Sequence, residues 1–311
     1  MTDTPAPANP TLASEFPIDL QKVTRRFGRQ VAVNDLTLRI PRGKTFGFIG
    51  LNGAGKTTAI RMMVGLLPPD WGKIRIDNID VDYECATLKS RVGYVPDRPT
   101  VYPWMRVEEA IGFARSFYPH WNQRRCDELM SLFGLEPRKR AKHLSKGQAA
   151  KLSLLLAICH EPPVLILDEP TSGMDPLVRE EFLEGVLEVT SERGQTVLFS
   201  SHTLSDVQRL ADSIGLLHEG KLILHASVDE LLDRTKRICA VLEEENGHHE
   251  PPPGMVFQRL RGREWTVTVE NFQNEQVEFM RAKNRISHLD VQDMSLDDVF
   301  KDFVRGRKEE V

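Results

Sequence analysis

The sequence lacks any long hydrophobic run. Its longest apolar stretch lies around Leu152–Cys159, far short of the ~20 residues that a membrane-spanning helix requires. The first nineteen residues contain no lysine or arginine and several prolines, whereas a secretory signal peptide needs a basic start and an apolar core. We therefore expect residues 1–17 to form a disordered leader, and any role at a membrane to depend on a partner.

Charge and cysteine content exclude further classes of protein. The 41 lysines and arginines are outnumbered by 45 aspartates and glutamates, so there is no basic excess and we predict no nucleic-acid partner. The cysteines show neither metal-ligand spacing nor a disulfide framework, so we predict free thiols in a reducing compartment. The four cysteines are Cys85, Cys126, Cys159 and Cys239. The 311 residues suffice for one large domain or two smaller ones.

A glycine-rich segment, Gly50–Thr58, separates an apolar run, Thr45–Ile49, from a stretch with helical periodicity. This order of strand, loop and helix is typical of a phosphate-binding P-loop. Glycines let successive backbone amides surround phosphate oxygens, and the helix N-terminus adds partial positive charge. The alternative is a glycine-rich turn with a solvated lysine, which the flanking strand and helix disfavour. The predicted nucleotide-binding residues of the loop are Asn52, Gly53, Ala54, Gly55, Lys56, Thr57 and Thr58.

Within this loop, two side chains have the chemistry for specific tasks. Lys56 can reach the terminal phosphates, where we also expect it to support catalysis, and Thr57 can place its hydroxyl on Mg²⁺. The loop predicts a nucleotide, but by itself it indicates neither which nucleotide nor what work is done with it.

Two carboxylates follow a buried strand, Val164–Leu167. Ligand-binding residues of open α/β sheets lie at the carboxyl ends of strands, which is where Asp168 and Glu169 fall. We predict that Asp168 completes the Mg²⁺ shell. Glu169 is either a general base that polarises the attacking water or a residue that merely caps the turn at Pro170. His202 ends a neighbouring strand and could contact the γ-phosphate, orient Glu169 or be structural.

Hydrophobic periodicity predicts an α/β part followed by a smaller α+β part. Ile18–Thr24 and Ala32–Ile40 alternate apolar and polar residues and predict an antiparallel pair. From Val107 to Phe133 the period is helical, with a break near Tyr118. Phe27 lies in the first connection, either as a stray core residue or as a platform for a purine. The predicted divisions are residues 18–232 for the α/β domain, about 98–160 for its helical subdomain and 233–311 for the C-terminal domain.

Taken together, the motifs resemble those of the nucleotide-binding subunit of an ATP-binding cassette (ABC) transporter. The resemblance covers about residues 18–230 and keeps the family's order of motifs. It implies an α/β P-loop ATPase core with an antiparallel β subdomain and a helical subdomain, plus the small C-terminal α+β appendage. The matching motifs are Walker A at Gly50–Thr57, the signature at Leu144–Gln148, Walker B at Val164–Asp168 followed by Glu169, the D-loop at Ser172–Asp175 and the switch histidine His202.

The resemblance also implies partners and residue roles. Two protomers, identical or related, would bind head to tail around two molecules of ATP with Mg²⁺. Glu169, His202 and Lys56 would be catalytic, and Phe27 would stack on adenine. The signature residues of the other chain would complete each site, and a D-loop residue would couple the two sites. These interface residues are Ser145, Gly147, Gln148 and Asp175.

Two positions depart from the family pattern. Lys146 stands where glycine is commonest, and it is tolerable if its side chain points away from the nucleotide. Asp97 stands where the family normally has glutamine and some branches glutamate. That residue reaches Mg²⁺ and the attacking water, so we expect the shorter aspartate to act through a water molecule.

The resemblance implies an ATP-hydrolysing subunit at the cytoplasmic face of a bacterial cell membrane, where it drives a separate membrane permease. The segment Val101–Glu108 and the C-terminal appendage look like those of bacterial exporters. One alternative is a soluble ABC ATPase acting on ribosomes or DNA, but such proteins usually carry two fused cassettes or a long coiled coil. Another is a degenerate regulatory cassette, which the complete set of Lys56, Asp168, Glu169 and His202 disfavours.

Overall fold

The computed structural model describes residues 14–82, 86–98, 101–191, 194–244 and 249–309. Most of the predicted leader, and Cys85, lie outside the described residues. Within them, Cys126, Cys159 and Cys239 are free thiols. No helix of the described segments is long and apolar enough to cross a membrane.

The described residues form fourteen strands, ten α-helices and a short 3₁₀ helix at Ala141–His143. The strands in chain order are β1 (Ile18–Phe27), β2 (Gln30–Ile40), β3 (Thr45–Ile49), β4 (Trp71–Ile76), β5 (Ile79–Asp80), β6 (Val92–Val95), β7 (Val164–Leu167), β8 (Thr196–Ser201), β9 (Ser213–His218), β10 (Lys221–Ser227), β11 (Lys236–Leu242), β12 (Met255–Arg261), β13 (Glu264–Val269) and β14 (Ile286–Asp293). The helices are α1 (Lys56–Met63), α2 (Ala86–Lys89), α3 (Val107–Arg115), α4 (Gln123–Leu132), α5 (Lys146–Ile158), α6 (Pro176–Ser191), α7 (Leu204–Leu210), α8 (Val228–Arg234), α9 (Asn274–Lys283) and α10 (Leu296–Glu309).

Three sheets organise these elements. An antiparallel sheet has the strand order β2-β1-β4-β5, and it includes the predicted first pair. The central sheet has the order β10-β9-β3-β8-β7-β6, in which every neighbouring pair is parallel except that formed by β10 and β9. The third sheet, β12-β13-β11-β14, is antiparallel and lies in the C-terminal part.

The central sheet is the middle of three layers, and its strand residues divide between two cores. In β7, Val164 and Ile166 pack with α1 and the antiparallel sheet. Leu165 and Leu167 alternate with them and pack with α5 and α6 on the other face. Side chains alternate across a strand, so a strand buried on both faces must be apolar throughout. This explains the unbroken hydrophobic run before Asp168.

Helices α3 and α4 lie in the stretch where the sequence has a helical period, and the predicted break near Tyr118 falls between them. Helix α5 follows within the predicted helical subdomain. Asn122 caps α4 by accepting a hydrogen bond from the Arg125 amide (2.9 Å). On α3, Glu109 accepts a hydrogen bond from the backbone amide of Arg106 (2.8 Å). Apolar residues of all three helices join the core on the α5 side of the central sheet.

The C-terminal sheet is covered on both faces by helices. On one face Met280 of α9 packs with Ile238 and Val267. On the other face Asp302 of α10 accepts hydrogen bonds from Arg237 (2.7 Å) and Thr268 (2.7 Å). Helix α10 also packs against α7, so the C-terminal part shares a core with the α/β part.

Candidate functional site

The order of the central sheet brings the predicted site segments to one edge. Strand β8 lies between β3 and β7, and all three run parallel. Their carboxyl ends therefore place the glycine loop, Asp168 with Glu169, and His202 side by side. The sequence predicted each strand separately, and the sheet order now explains why their ends meet.

The glycine loop leads directly into α1. Gly53 and Gly55 have left-handed backbone angles (φ 82° and 106°), and a Cβ on Gly55 would overlap the carbonyl oxygen of Ala32. Only glycine meets both requirements at position 55. Lys56 is buried, and its ammonium donates hydrogen bonds to the carbonyl oxygens of Gly50 (2.6 Å) and Leu51 (3.4 Å).

Asp168 is fully buried behind the loop. Its Oδ1 accepts hydrogen bonds from the hydroxyls of Ser200 (2.8 Å) and Thr57 (3.2 Å). Its Oδ2 is buried and has no hydrogen-bond partner among the described residues. Burial raises the pKa of this carboxyl, and the two hydroxyls oppose the rise. Mg²⁺ prefers hard oxygen ligands, such as carboxylate and hydroxyl oxygens. The unpaired Asp168 Oδ2 and the nearby Thr57 hydroxyl are ligands of this kind, so these residues fit the ion.

Glu169 contacts two other predicted catalytic residues. Its Oε1 lies 3.1 Å from Lys56 Nζ, and its Oε2 accepts a hydrogen bond from His202 Nδ1 (2.6 Å). An ionised carboxylate only accepts, so this contact places a histidine proton on Nδ1. The backbone of Glu169 is left-handed (φ 47°), which ends the strand alternation and lets its carboxylate lie at the sheet edge.

Ser200 joins the two carboxylate residues, and the sequence reasoning missed it. Its hydroxyl donates to Asp168 Oδ1 and accepts a hydrogen bond from the Glu169 amide (2.9 Å). The available signal was a serine inside the buried strand β8, because a buried hydroxyl needs hydrogen-bond partners.

A cavity of about 920 Å³ opens along this edge. It brings together most of the predicted site residues, including the exposed carboxylate of Asp97. The predicted residues that line it are Phe27, Asn52, Gly53, Ala54, Gly55, Lys56, Thr57, Thr58, Asp97, Ser145, Glu169 and His202. The predicted residues that are not among its lining are Gly147, Gln148, Asp168 and Asp175.

Phe27 lies at the end of β1 and does not belong to the core. Its ring is 48% exposed at the cavity, with the Arg25 guanidinium 5.1 Å from the ring centroid. An exposed aromatic face at a cavity wall suits a flat base, so the geometry excludes the stray-core interpretation of this residue.

The signature residues have partners within their own chain. Ser145 caps α5 by accepting a hydrogen bond from the Gln148 amide (3.1 Å), and the Gln148 side chain accepts one from the Ser145 amide (3.2 Å). This reciprocal capping box stabilises the start of α5. Gly147 is buried, and a Cβ there would overlap Val178 on α6. Glycine at this position therefore permits the close approach of the two helices.

The D-loop residue Asp175 directly precedes α6. It is exposed, and its Oδ1 accepts a hydrogen bond from the Val178 amide (3.1 Å), as an N-cap does. Lys146 lines the cavity, and its ammonium lies close to Gly173 in the same D-loop. Lys146 therefore extends toward the D-loop at the cavity wall.

Comparison with known proteins gives consistent matches. The sequence model of the ABC transporter family matches residues 33–172. The bacitracin transport ATP-binding protein BcrA of Enterococcus faecalis is 34% identical over 225 residues, which are 72% of this chain and 73% of that protein. The linearmycin resistance ATP-binding protein LnrL of Bacillus subtilis (strain 168) is 32% identical over 222 residues, 70% of this chain and 71% of that protein.

A solved structure of the ATP-binding subunit of an ABC transporter matches this chain with a TM-score of 0.63 and 31% sequence identity. The match covers 68% of this chain and 90% of the solved chain. The match confirms the predicted α/β cassette fold, and the relatives confirm the resemblance on which the predicted activity was based. The chain therefore belongs to the ABC transporter family, as an ATP-binding subunit that hydrolyses ATP.

Proposed function

We propose that ATP bound in the cavity closes a dimer, formed by two copies of this cassette or by this cassette and a related one. Hydrolysis reopens the dimer, and this cycle drives a separate membrane permease in the direction of export. The observation that carries the proposal is the contact of Glu169 with both Lys56 and His202 at the cavity edge. It brings together the proposed phosphate-binding cation, the proposed base and a histidine.

In this mechanism Glu169 polarises the attacking water as a general base. His202 holds the Glu169 carboxylate through Nδ1, which leaves its other ring nitrogen free to face the γ-phosphate. Lys56 and the loop amides hold the phosphates, and Phe27 stacks on the adenine. Thr57 and Asp168 would hold Mg²⁺, with Asp97 acting through water, and the bound ion would neutralise charge that develops on the phosphate oxygens.

The second protomer is proposed from the surface beside the cavity. Ser145 lines the cavity wall with its backbone at a helix N-terminus, which is a favourable place for a phosphate of a partner's nucleotide. The neighbouring D-loop exposes Asp175, and Leu177 at the start of α6 is 67% exposed. A large exposed apolar side chain next to a polar loop suits a protein interface.

The permease is proposed from an aromatic cluster on the helical subdomain, made of Tyr102, Trp104, Phe113 and Phe117. The four residues are 46% to 66% exposed, and neighbouring rings stack or meet edge to face at centroid distances of 4.7 to 6.2 Å. Aromatic residues are enriched at protein interfaces, so this cluster is a suitable docking surface for a membrane subunit. Docking there would hold the chain at the cytoplasmic face of the membrane.

Export is supported by the relatives. One is named for bacitracin transport and another for linearmycin resistance. Outward transport of a toxic compound is one way to produce resistance, so an exporter fits the second name, and the first name states transport.

The Glu169→Gln variant tests the catalytic assignment. The amide keeps the size of the side chain but cannot act as a base, so we expect turnover to fall by about 10²-fold or more while ATP still binds. Hydrolysis is measured as phosphate release, and ATP binding with dimer formation is followed by sedimentation. We expect ATP to hold the variant as a dimer. Wild-type turnover in Glu169→Gln would show that Glu169 is not the base.

A further inference from the structure

A buried carboxylate outside the cavity connects the segments that carry the catalytic groups. Asp206 on α7 is only 3% exposed. Its Oδ1 and Oδ2 accept hydrogen bonds from Nε and Nη2 of Arg179, both at 2.6 Å, and Oδ2 also accepts one from the Thr171 hydroxyl (2.8 Å). Two parallel charge-assisted bonds fix the orientation of the carboxylate as well as its position.

The three partners come from three different segments of the site. Thr171 follows Glu169 by two residues, on the chain that leaves β7. Arg179 lies in the first turn of α6, directly after the D-loop. Asp206 follows His202 by four residues, on the chain that leaves β8. One carboxylate therefore ties the segment after the base to the segment after the histidine.

The backbone of Glu169 needs such support. A left-handed glutamate is unfavourable by itself and persists only where its surroundings determine it. On one side the Ser200 hydroxyl accepts the Glu169 amide hydrogen. On the other side Glu169 begins a turn, in which the Ser172 amide donates a hydrogen bond to the Glu169 carbonyl (3.0 Å). Thr171 lies inside this turn, and its hydroxyl donates a hydrogen bond to Asp206.

We propose that Asp206 is a positioning residue, which keeps the Glu169 carboxylate and the His202 ring at their contact distance. Through Arg179, the position of α6 would also affect the positions of these two side chains. Asp206 and Arg179 are not among the lining residues of the cavity, so they act through other residues. This inference rests on the proposed roles of Glu169 and His202. We call Asp206, Arg179 and Thr171 the clamp. Loosening the clamp should lower the turnover number and leave ATP binding by the glycine loop unchanged.

The test removes one hydroxyl from the clamp in the full-length chain. Thr171→Val keeps the shape of the side chain, and we expect kcat to fall by about tenfold or more while KM for ATP stays the same, because small misplacements of catalytic groups are costly. Thr190→Val is the matched control. Thr190 is equally buried (both 7% exposed), but its hydroxyl donates to the Val186 carbonyl within α6, at 2.8 Å. We expect the control to keep the wild-type kcat.

Rescue and folding controls complete the experiment. Thr171→Ser restores the hydroxyl and should restore kcat, whereas a role in packing alone would leave the serine variant impaired. Asp206→Asn should show the same loss of kcat at unchanged KM, provided that its thermal unfolding confirms a folded chain. Wild-type kcat in Thr171→Val, or an equal loss in Thr190→Val, would overturn the inference.

The outcomes separate the two proposals. If Glu169→Gln hydrolyses ATP at the wild-type rate, the catalytic assignment fails and the clamp has nothing to position. If Glu169→Gln is inactive while Thr171→Val has wild-type kcat, the assignment stands and only the clamp is wrong.

Discussion

At the residue scale, the position of Glu169 could be predicted from the sequence, but its backbone conformation could not. Its place after a buried strand predicted a carboxylate at the sheet edge, and the order of motifs suggested its role. The left-handed backbone was not predictable, because glutamate has no preference for that conformation. It depends on Ser200 and on the turn to Thr171, and these contacts join residues about thirty positions apart.

His160 provides a prediction that depends on pH. Its ring is buried and stacks on Tyr118 at a centroid distance of 4.0 Å, and burial lowers its pKa to about 4. Between pH 6.5 and 4 the unfolded chain binds a proton that the folded chain does not, so stability falls as the pH falls. From pH 7 to pH 5 this histidine should remove about 2 kcal/mol from the free energy of unfolding.

The His160→Phe variant keeps an aromatic ring for the stack and cannot titrate. Urea unfolding at pH 7 and pH 5 should therefore show a smaller loss for the variant than for the wild type. His143→Phe, at an exposed histidine, is the control and should show the wild-type loss. An identical loss in His160→Phe would mean that this ring is not the source of the effect.

At the element scale, the strands and long helices were largely predictable and the short helices were not. The alternation of β1 and β2, the apolar run of β7 and the Ser145 cap of α5 each have a local signal. Helices α7 and α8 have seven residues each, about two turns, which is too short for a helical period to stand out. The clamp residue Asp206 was missed for this reason, since it lies on α7.

Two glycines within helices should respond oppositely to substitution by alanine. A Cβ on Gly306 of α10 would overlap the Val256 carbonyl oxygen of β12, whereas Gly112 of α3 has nothing within 4 Å. Gly306→Ala should therefore destabilise the chain by about 1–3 kcal/mol through overpacking. Gly112→Ala should stabilise it by about 0.5–1 kcal/mol, because alanine is the better helix former.

Urea unfolding of both variants measures the contrast. A loss of stability in Gly306→Ala with a gain in Gly112→Ala would establish that α10 needs a glycine where it crosses β12. A gain in both would instead mean that α10 can move away from β12 at no cost.

At the scale of the whole molecule, the C-terminal part is built into the cassette. Leu296, Val299 and Phe303 of α10 belong to the same apolar core as Leu204 and Val207 of α7. The sequence predicted a small α+β domain at residues 233–311. It could not indicate this shared core, because an amphipathic helix does not reveal which surface its apolar face covers.

The aromatic cluster leads to a prediction about assembly. Replacing Trp104 and Phe117 by alanine removes two side chains that are 65% and 66% exposed, so the isolated chain should keep its stability and its ATPase rate. Recovery of the permease with the tagged chain from detergent-solubilised membranes should drop severalfold, because interface aromatics carry much of the binding energy.

The matched control is Trp71→Ala, at a tryptophan of β4 that is 58% exposed on another part of the surface. It should recover as much permease as the wild type. Full recovery with the double variant, or equal losses in both, would place the permease elsewhere.

Among the described residues, the ammonium of Lys56 lies near three oxygens: it donates hydrogen bonds to the carbonyls of Gly50 and Leu51, and it forms an ion pair with the Glu169 carboxylate. If a phosphate binds at Lys56 as proposed, it competes with these oxygens for the ammonium. The Glu169 carboxylate is the one of the three that a negatively charged phosphate repels, so we expect the phosphate to displace it. In the proposed mechanism, the Glu169 carboxylate therefore occupies the place at Lys56 that a phosphate would take, and we expect ATP binding to release this carboxylate so that it can act as the base.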